Sequence, residues 1–273
     1  MSTHDDFTLT AGDAEATVSP ADGGRITSLR IGGVELLRQG ERYGCFPMVP
    51  WCGRIRDGRF RDGGTVHQMP LNAAPHAIHG TARDNAWRTA RKERDEAVIT
   101  LDLTDPWPYP ARLTQVVALT EESLTLTLAI ETYGSSFPAQ LGWHPWFNRT
   151  LDGASDGSSD DDGGARIEFD PAWQEERGED HLPTGRRLEK PLPGPWDDCF
   201  GMPQGVDVAV RWPGRLELRV TSPEKWVVVY DEQEAAVCVE PQTGPPDGLN
   251  TAPRLVTPLE PLEATTTWSW RRL

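Results

Sequence analysis

The amino-acid sequence predicts an all-β fold, because apolar residues recur with the period of a strand and turn-forming residues lie between them. In residues 124–130 every even position is a large apolar residue and most odd positions are small or polar, as in a strand with one buried face. The 273 residues include 26 Gly and 24 Pro, spread along the whole chain, and these residues punctuate turns. No stretch of about 12 residues carries the apolar stripe of an amphipathic helix.

Further strands are predicted along the rest of the chain. Alternation of apolar and polar residues recurs at 98–103, 216–220 and 268–270. The segments 226–230 and 235–239 are instead almost continuous apolar runs, which are typical of strands buried on both faces. Short strands with turn signals between them indicate a sandwich or a barrel.

One acidic segment interrupts this pattern. Residues 151–165 contain five Asp among Gly and Ser and no cationic residue, so we predict a flexible, solvated loop. A calcium-binding loop is the alternative, but the spacing D-x-D-x-D-G with Glu at position twelve is absent from this segment. Since no change of composition marks a linker, we expect a single domain over residues 1–273.

The charge balance restricts the partners that the protein binds. The chain has 27 Lys and Arg against 42 Asp and Glu, a formal net charge of −15. A field of this sign repels phosphate backbones and anionic lipid, so we expect neither a nucleic-acid nor a membrane partner. No apolar run approaches the roughly 20 residues that a membrane-spanning helix needs.

Cysteine usage and the first residues favour a cytoplasmic protein. The four cysteines, Cys45, Cys52, Cys199 and Cys238, include no C-x-x-C pair. We expect them to be small buried apolar residues rather than disulfides or metal ligands. Residues 1–6 have neither the basic nor the apolar region of a secretory signal. The sequence leaves open whether the protein is a monomer or a homodimer.

Three local motifs are candidates for a functional site. Residues 76–80 read H-A-I-H-G, and residues 142–147 read G-W-H-P-W-F, which places His144 before a Pro and among large aromatic residues. Residues 239–246 read V-E-P-Q-T-G-P-P, so Glu240 stands where an apolar strand meets a turn. A carboxylate in that position is partly desolvated, and its pKa can be tuned. Taken singly, each motif also fits a packed imidazole or a solvated carboxylate.

Together these motifs resemble those of the aldose 1-epimerases, also called galactose mutarotases. Residues 142–147 are similar to the family's G-x-H-P-Y/W-F signature, and residues 239–246 are similar to its E-P-x-T-G-P-P signature. The I-H-G of residues 78–80, followed by a Trp, resembles an earlier family motif. The segment 50–55 resembles the one that bears a sugar-binding Arg, although Gly53 stands where the family usually has Asn. The motifs occur in family order along nearly the whole chain.

The resemblance implies a fold, a reaction and a set of site residues. The implied fold is a large antiparallel β-supersandwich, and the implied reaction interconverts the α and β anomers of a free aldose without a cofactor or a metal. His144 is implied as the general acid and Glu240 as the general base. The 11 Trp include residues suited to pack against the apolar face of a sugar. The residues predicted to bind the sugar substrate are Arg54, His79, Asp197, Trp146 and Gln242.

Three other functions compete with this interpretation. A carbohydrate-binding module would have the same architecture without turnover, but it needs no acid–base pair. A glycosidase needs two carboxylates that flank the scissile bond, whereas the matched acid here is His144. A hexose-6-phosphate epimerase is the nearest alternative, because residues 79–85, H-G-T-A-R-D-N, resemble the H-G-F-A-R-N segment of those enzymes. Residues 51–60 resemble the free-sugar enzymes instead, so we expect Arg83 to be structural or peripheral and the substrate to be neutral.

Overall fold

Two large antiparallel sheets, of 12 and 8 strands, form the body of the protein in the computed structural model, which describes residues 4–151 and 164–273. The prediction of an all-β fold built from large antiparallel sheets is confirmed. The helices of the described residues are short: an α-helix, α1 (Gly248–Thr251), and 3-10 helices at Arg56–Gly58 and Ala82–Asp84. The strands are β1 (Phe7–Ala11), β2 (Ala14–Ser19), β3 (Arg25–Ile31), β4 (Val34–Glu35), β5 (Cys45–Met48), β6 (Arg54–Ile55), β7 (Arg59–Asp62), β8 (Thr65–Gln68), β9 (Ala77–Ile78), β10 (Arg88–Lys92), β11 (Glu96–Leu103), β12 (Ala111–Leu119), β13 (Ser123–Glu131), β14 (Phe137–Ala139), β15 (Gly142–Pro145), β16 (Phe147–Asn148), β17 (Arg166–Glu168), β18 (Trp173–Arg177), β19 (Pro183–Leu188), β20 (Asp197–Gly201), β21 (Val206–Trp212), β22 (Leu216–Ser222), β23 (Trp226–Tyr230), β24 (Ala236–Gln242), β25 (Arg254–Val256) and β26 (Leu262–Arg272).

The strand order brings distant parts of the chain together. The larger sheet runs β1-β2-β3-β5-β15-β24-β23-β20-β18-β19, with β4 beside β3 and β16 beside β24. The smaller sheet runs β10-β11-β12-β13-β26-β22-β21-β17. Short pairs, β6 with β9, β7 with β8 and β14 with β25, complete the described strands. The centre of the larger sheet therefore joins β15 to β24, which carry two of the motifs singled out in the sequence.

Burial along most strands follows the periodicity of the sequence. In β13 the even-numbered residues from Leu124 to Ile130 are buried, as the alternation predicts. In β24 every residue is buried, as its apolar run predicts. The expectation that residues 226–230 are buried on both faces is wrong, because alternate residues of β23 are partly exposed. Val228 and Tyr230 border a cavity, which is the physical reason for their exposure.

A buried amide connects the two large sheets. Gln115 lies on β12 of the smaller sheet, and its Oε1 accepts a hydrogen bond of 3.1 Å from Nε1 of Trp143 on β15. Its Nε2 donates to the carbonyl oxygen of Gly24 at 2.8 Å. Both ends of the buried amide are thus satisfied, and the bonds fix the position of β15 above the smaller sheet. The apolar core extends from Phe7 to Trp270, and the single domain remains a prediction.

Several further expectations concern the described residues only in part. The predicted acidic loop 151–165 falls mostly outside them, since residues 152–163 are not described. All four cysteines are buried and free, as expected from the sequence. Within 4–151 and 164–273, no helix is long and apolar enough to cross a membrane.

Candidate active site

The residues predicted as acid and base lie opposite each other on neighbouring strands. Gly142 of β15 pairs with Gln242 of β24, and two residues along each antiparallel strand this register sets His144 opposite Glu240. The distance from His144 Nε2 to Glu240 Oε1 is 3.2 Å. The two residues are only 6% and 3% exposed. The fold therefore brings together a buried imidazole and a buried carboxyl group that the chain keeps far apart.

Aromatic rings hold the imidazole of His144. It stacks on Trp146, with ring centroids 4.7 Å apart, and on Phe46, with centroids 4.9 Å apart. Phe46 is the residue of β5 that pairs with His144 in the sheet. The ring of His79 meets the imidazole edge-on at 5.0 Å. These contacts fix the orientation of the imidazole. Phe46 was not among the predicted residues, because its pairing with His144 on another strand has no local signature in the sequence.

Burial shifts the pKa values of the pair in opposite directions. It lowers the pKa of His144 to about 3, and the positive charge of Arg83 acts in the same direction. It raises the pKa of Glu240 well above its ordinary value, with Asp197 adding to this rise and Arg54 opposing it. Both shifts arise because the low dielectric of the interior disfavours the charged form of each group. The pair therefore holds one proton, and the two shifts favour its position on the carboxyl group of Glu240, beside a neutral imidazole.

The backbone around His79 has a conformation that its motif explains. His79 itself has a φ of +63°, in the left-handed region that few side chains adopt. The next residue, Gly80, has a φ of +71°. A Cβ atom on Gly80 would lie 2.0 Å from the carbonyl oxygen of Val49. Only glycine therefore fits after His79, and the turn aims the imidazole at the cavity. Burial lowers the pKa of His79, and the neighbouring His144 contributes to that shift.

Asp197 belongs to an ion-pair cluster at the cavity wall. Nη1 of Arg177 donates to Oδ2 of Asp197 at 2.9 Å, and Nε of the same guanidinium lies 3.4 Å from Oδ1 of Asp198. The guanidinium also reaches Glu232 at 3.6 Å, and Nδ1 of His181 lies 3.5 Å from Asp197. Arg177 thus orients two adjacent carboxylates. It was not among the predicted residues, because nothing in W-Q-E-E-R distinguishes it from an ordinary surface strand.

A cavity of about 240 Å³ connects these groups. Gln242 differs from the other predicted residues, because it is fully buried and does not line the cavity. The predicted residues that line the cavity are Arg54, His79, His144, Trp146, Asp197 and Glu240.

Comparison with known proteins assigns the chain to a family. The sequence profile described as aldose 1-epimerase matches residues 5–271. The chain belongs to the aldose 1-epimerase family. The family resemblance predicted from the motifs is thereby confirmed, and it covers nearly the whole chain.

Two curated proteins are similar to part of this aldose 1-epimerase family member. Over 150 residues, 52% of the chain, it is 30% identical to the uncharacterized protein YphB of Escherichia coli K12, of which the match covers 51%. Over 110 residues, 38% of the chain, it is 26% identical to the uncharacterized protein YihR of the same organism, of which the match covers 36%. The chain thus spans about half or less of the length of these relatives.

Solved structures show the fold of the family over the full length. A candidate aldose 1-epimerase from Escherichia coli K12 superposes with a TM-score of 0.84 at 21% identity, covering 98% of this chain and 99% of that one. A galactose mutarotase-like protein from Clostridium acetobutylicum superposes with a TM-score of 0.84 at 17% identity, covering 99% and 96%. At these identities the similarity establishes the mutarotase-like fold alone.

The altered position in the aldose 1-epimerase motif before Arg54 has a structural explanation. Gly53 has a φ of +59°, in the left-handed region that Gly adopts without strain. Among residues with a side chain, Asn and Asp adopt this region more readily than the others. A Cβ atom there would approach Pro246 to 3.0 Å. The replacement of the usual Asn by Gly53 therefore keeps the backbone turn, and Arg54 still lines the cavity.

Proposed function

We propose that this protein catalyses the interconversion of the α and β anomers of a free aldohexose by acid–base ring opening. The observation that carries the proposal is the pair formed by His144 and Glu240, with 3.2 Å between Nε2 and Oε1 at the wall of a cavity. The two oxygen atoms that change protonation in mutarotation, O1 and O5, are bonded to the same carbon. An acid and a base on adjacent strands suit two atoms that are so close.

The proposed reaction moves one proton on to the sugar and one off it. The carboxylate of Glu240 removes the proton from O1 while the imidazolium of His144 protonates O5. The C1–O5 bond breaks, C1 and O1 become an aldehyde, and rotation about C1–C2 presents the other face of the carbonyl. Ring closure reverses both transfers, so Glu240 returns its proton to O1 and His144 takes the proton from O5. Each positioned acid or base typically contributes about 10² to 10⁴ in rate.

The proton count of the pair supports this cycle. Ring opening uses the form of the pair with the proton on His144, which transfer from Glu240 across the 3.2 Å contact provides. In the open-chain intermediate the proton is on Glu240, so the pair holds one proton throughout. Burial opposes both the doubly protonated pair, which carries a net positive charge, and the fully deprotonated pair, which carries a net negative charge. We assign sugar contacts to Arg54, His79 and Asp197, whose polar groups line the cavity. Trp146 offers the sugar an aromatic face beside the imidazole.

The charges around the cavity favour a neutral sugar over a sugar phosphate. Arg83, which the hexose-6-phosphate alternative would use, does not line the cavity, and its guanidinium lies over the ring of Phe46 at 5.2 Å. Arg56 is already bound to Asp180 at 2.6 Å. The cavity wall carries the carboxyl groups of Glu175, Asp197, Asp198 and Glu240 against the guanidinium groups of Arg54 and Arg177. This excess of acidic groups disfavours a dianion.

One comparison tests the proposal and its alternatives. Equilibration of pure anomers of glucose, galactose and glucose 6-phosphate is followed by polarimetry or NMR with the same purified protein. We expect the free hexoses to equilibrate faster than the spontaneous rate and faster than the phosphate. A preference of more than about tenfold for glucose 6-phosphate would favour the phosphate epimerase. Sugar binding without any acceleration would favour a carbohydrate-binding protein.

A further inference from the structure

A third donor atom, which the proposed reaction does not use, lies beside the acid–base pair. Cys238 and Glu240 are alternate residues of β24, so their side chains project from the same face of the sheet. Cys238 pairs with Tyr230 of β23, which lines the cavity. The thiol sulfur of Cys238, a ring nitrogen of His144 and a carboxyl oxygen of Glu240 all lie within 4.8 Å of one another. All three residues are buried.

This combination of donors matches the chemistry of a thiophilic divalent cation. A thiolate, an imidazole and a carboxylate are the ligand types that Zn²⁺ takes from proteins. With metal–ligand bonds of about 2.0 to 2.3 Å, two ligands of a tetrahedral ion lie roughly 3.3 to 3.8 Å apart. His144 and Glu240 are already at 3.2 Å, so the adjustment falls mainly on the Cys238 thiol. The cavity leaves a fourth position for water, as in zinc sites with three protein ligands.

We propose that His144, Cys238 and Glu240 form a binding site for Zn²⁺ or Cd²⁺ that switches off the acid–base pair when it is occupied. The metal binds the nitrogen and the oxygen that otherwise exchange protons with the sugar. Binding releases the protons of the thiol and the carboxyl group to water. The loss of activity rests on the proposed function, whereas metal binding itself does not.

The surroundings favour entry of a cation. The chain carries a net charge of −15, and such a field raises the local concentration of cations at its surface. Asp197 and Asp198 stand at the wall of the same cavity, where Arg177 compensates only part of their charge. A divalent cation that enters the cavity therefore meets these carboxylates, while the guanidinium of Arg54 in the same wall opposes its approach.

The other cysteines supply a matched control. Cys52 is free and fully buried, as Cys238 is, and the negative charge of Glu240 contributes to the raised pKa of both thiols after burial itself. Within the described residues, however, Cys238 is the cysteine that shares a group of three close donors with His144 and Glu240. Replacing Cys52 removes a thiol of similar burial without removing a ligand.

The test uses Cd²⁺, because cadmium bound to a thiolate gives an ultraviolet charge-transfer band. Metal-free wild type, Cys238→Ala and Cys52→Ala are titrated with Cd²⁺ under reducing conditions, after thermal melts have shown that each is folded. We expect the band in wild type and in Cys52→Ala. We expect Cys238→Ala to lose the band and to bind at least about tenfold more weakly, since even the outer neighbours of metal ligands change affinity by that much. If Cys238→Ala does not fold, Cys238→Val is tested for the same loss.

The result that would overturn the site is an equal band in the Cys238 variant, or no band in wild type at millimolar Cd²⁺. A second measurement follows anomer equilibration with Zn²⁺ and then with a chelator. We expect reversible inhibition of wild type and of Cys52→Ala, and at least about tenfold weaker inhibition of Cys238→Ala. Equal inhibition of all three proteins would contradict the switch. If metal-free wild type shows no mutarotation, the proposed function fails, and the cadmium band alone decides the metal site.

Discussion

Nε2 of His144 lies 3.2 Å from Oε1 of Glu240, within the reach of a single hydrogen bond. Because both groups are buried, the state of one depends on the state of the other, and the pair titrates as a unit. The proton that they share can reside on either partner. That property makes the same two residues suitable for opening a sugar ring and for closing it.

The base is tested by the substitution Glu240→Gln. Gln keeps the size of the side chain but accepts no proton from O1, so we expect mutarotation to fall by at least about 100-fold while weak sugar binding remains. Anomer equilibration followed by NMR measures the rate, and circular dichroism verifies the fold. The control is Glu96→Gln, on β11 of the smaller sheet, which should leave the rate unchanged. A loss of less than about tenfold would show that Glu240 is not the base.

The acid is tested by the pH profile of His144→Asn. In wild type, rising pH removes the single proton of the pair, so kcat/KM should fall on the alkaline side, above the ordinary range of a carboxyl because burial raises the pKa of Glu240. In His144→Asn the remaining base works best when ionised, so the much lower activity should rise with pH and then level off. If kcat/KM of His144→Asn still falls at alkaline pH, His144 is not the acid.

The role of Phe46 is to position the imidazole. Phe46→Leu removes the ring that stacks on His144 at 4.9 Å, and we expect kcat to fall about tenfold with a smaller change of KM. Weaker shielding from water should also raise the pKa of His144. The fall of activity on the acid side of the pH profile should therefore begin at a higher pH. The control is Phe7→Leu, a buried substitution on β1. An unchanged pH profile in Phe46→Leu would leave Phe46 with a packing role alone.

Two arginines near the cavity should differ in their effect. Arg54 lines the cavity and Arg83 does not. Arg54→Ala should lower kcat/KM for glucose or galactose at least about tenfold, since it removes a charged donor from a partly dry site. Arg83→Ala should leave it within about threefold, less than roughly 0.7 kcal/mol of transition-state binding. The prediction is contradicted if both variants lose activity equally.

Acid stability should depend on Glu217, outside the cavity. Hydrogen bonds from Arg271 and Arg211 lower the pKa of Glu217 to about 2. A carboxyl whose folded pKa lies below its unfolded value contributes stability above the unfolded pKa, and this is lost as pH falls through the folded pKa. The difference in Tm between wild type and Glu217→Gln should therefore be largest near neutral pH and shrink from about pH 4.5 towards pH 2. A difference independent of pH would contradict this.

The strands of the sheets were largely predictable because their signal is local. Alternation over residues 124–130 predicts the buried face of β13, and the apolar run at 235–239 predicts β24. The run at Trp226–Tyr230 misleads, because apolar side chains also line the cavity. A continuous apolar segment does not distinguish a face that packs in the core from one that borders a ligand site.

The site was predictable from the motifs but not from the spacing of its residues. His144 and Glu240 meet because β15 pairs with β24, and this pairing of distant segments has no local signature. Phe46 and Arg177 were missed for the same reason, since each acts through a partner on another strand. Cys238 had a weak local signal: it precedes Glu240 by two residues in a predicted strand, so the two side chains share a face.

The position of β26 in the smaller sheet matters while the polypeptide is being synthesised. β26 pairs with both β13 and β22, although it follows every other described strand in the chain. On the ribosome, β13 and β22 therefore each present an open edge of unpaired amides and carbonyls until their shared neighbour emerges. Such edges pair readily with other nascent chains. The smaller sheet is thus completed only when β26, the last described strand, pairs with both β13 and β22.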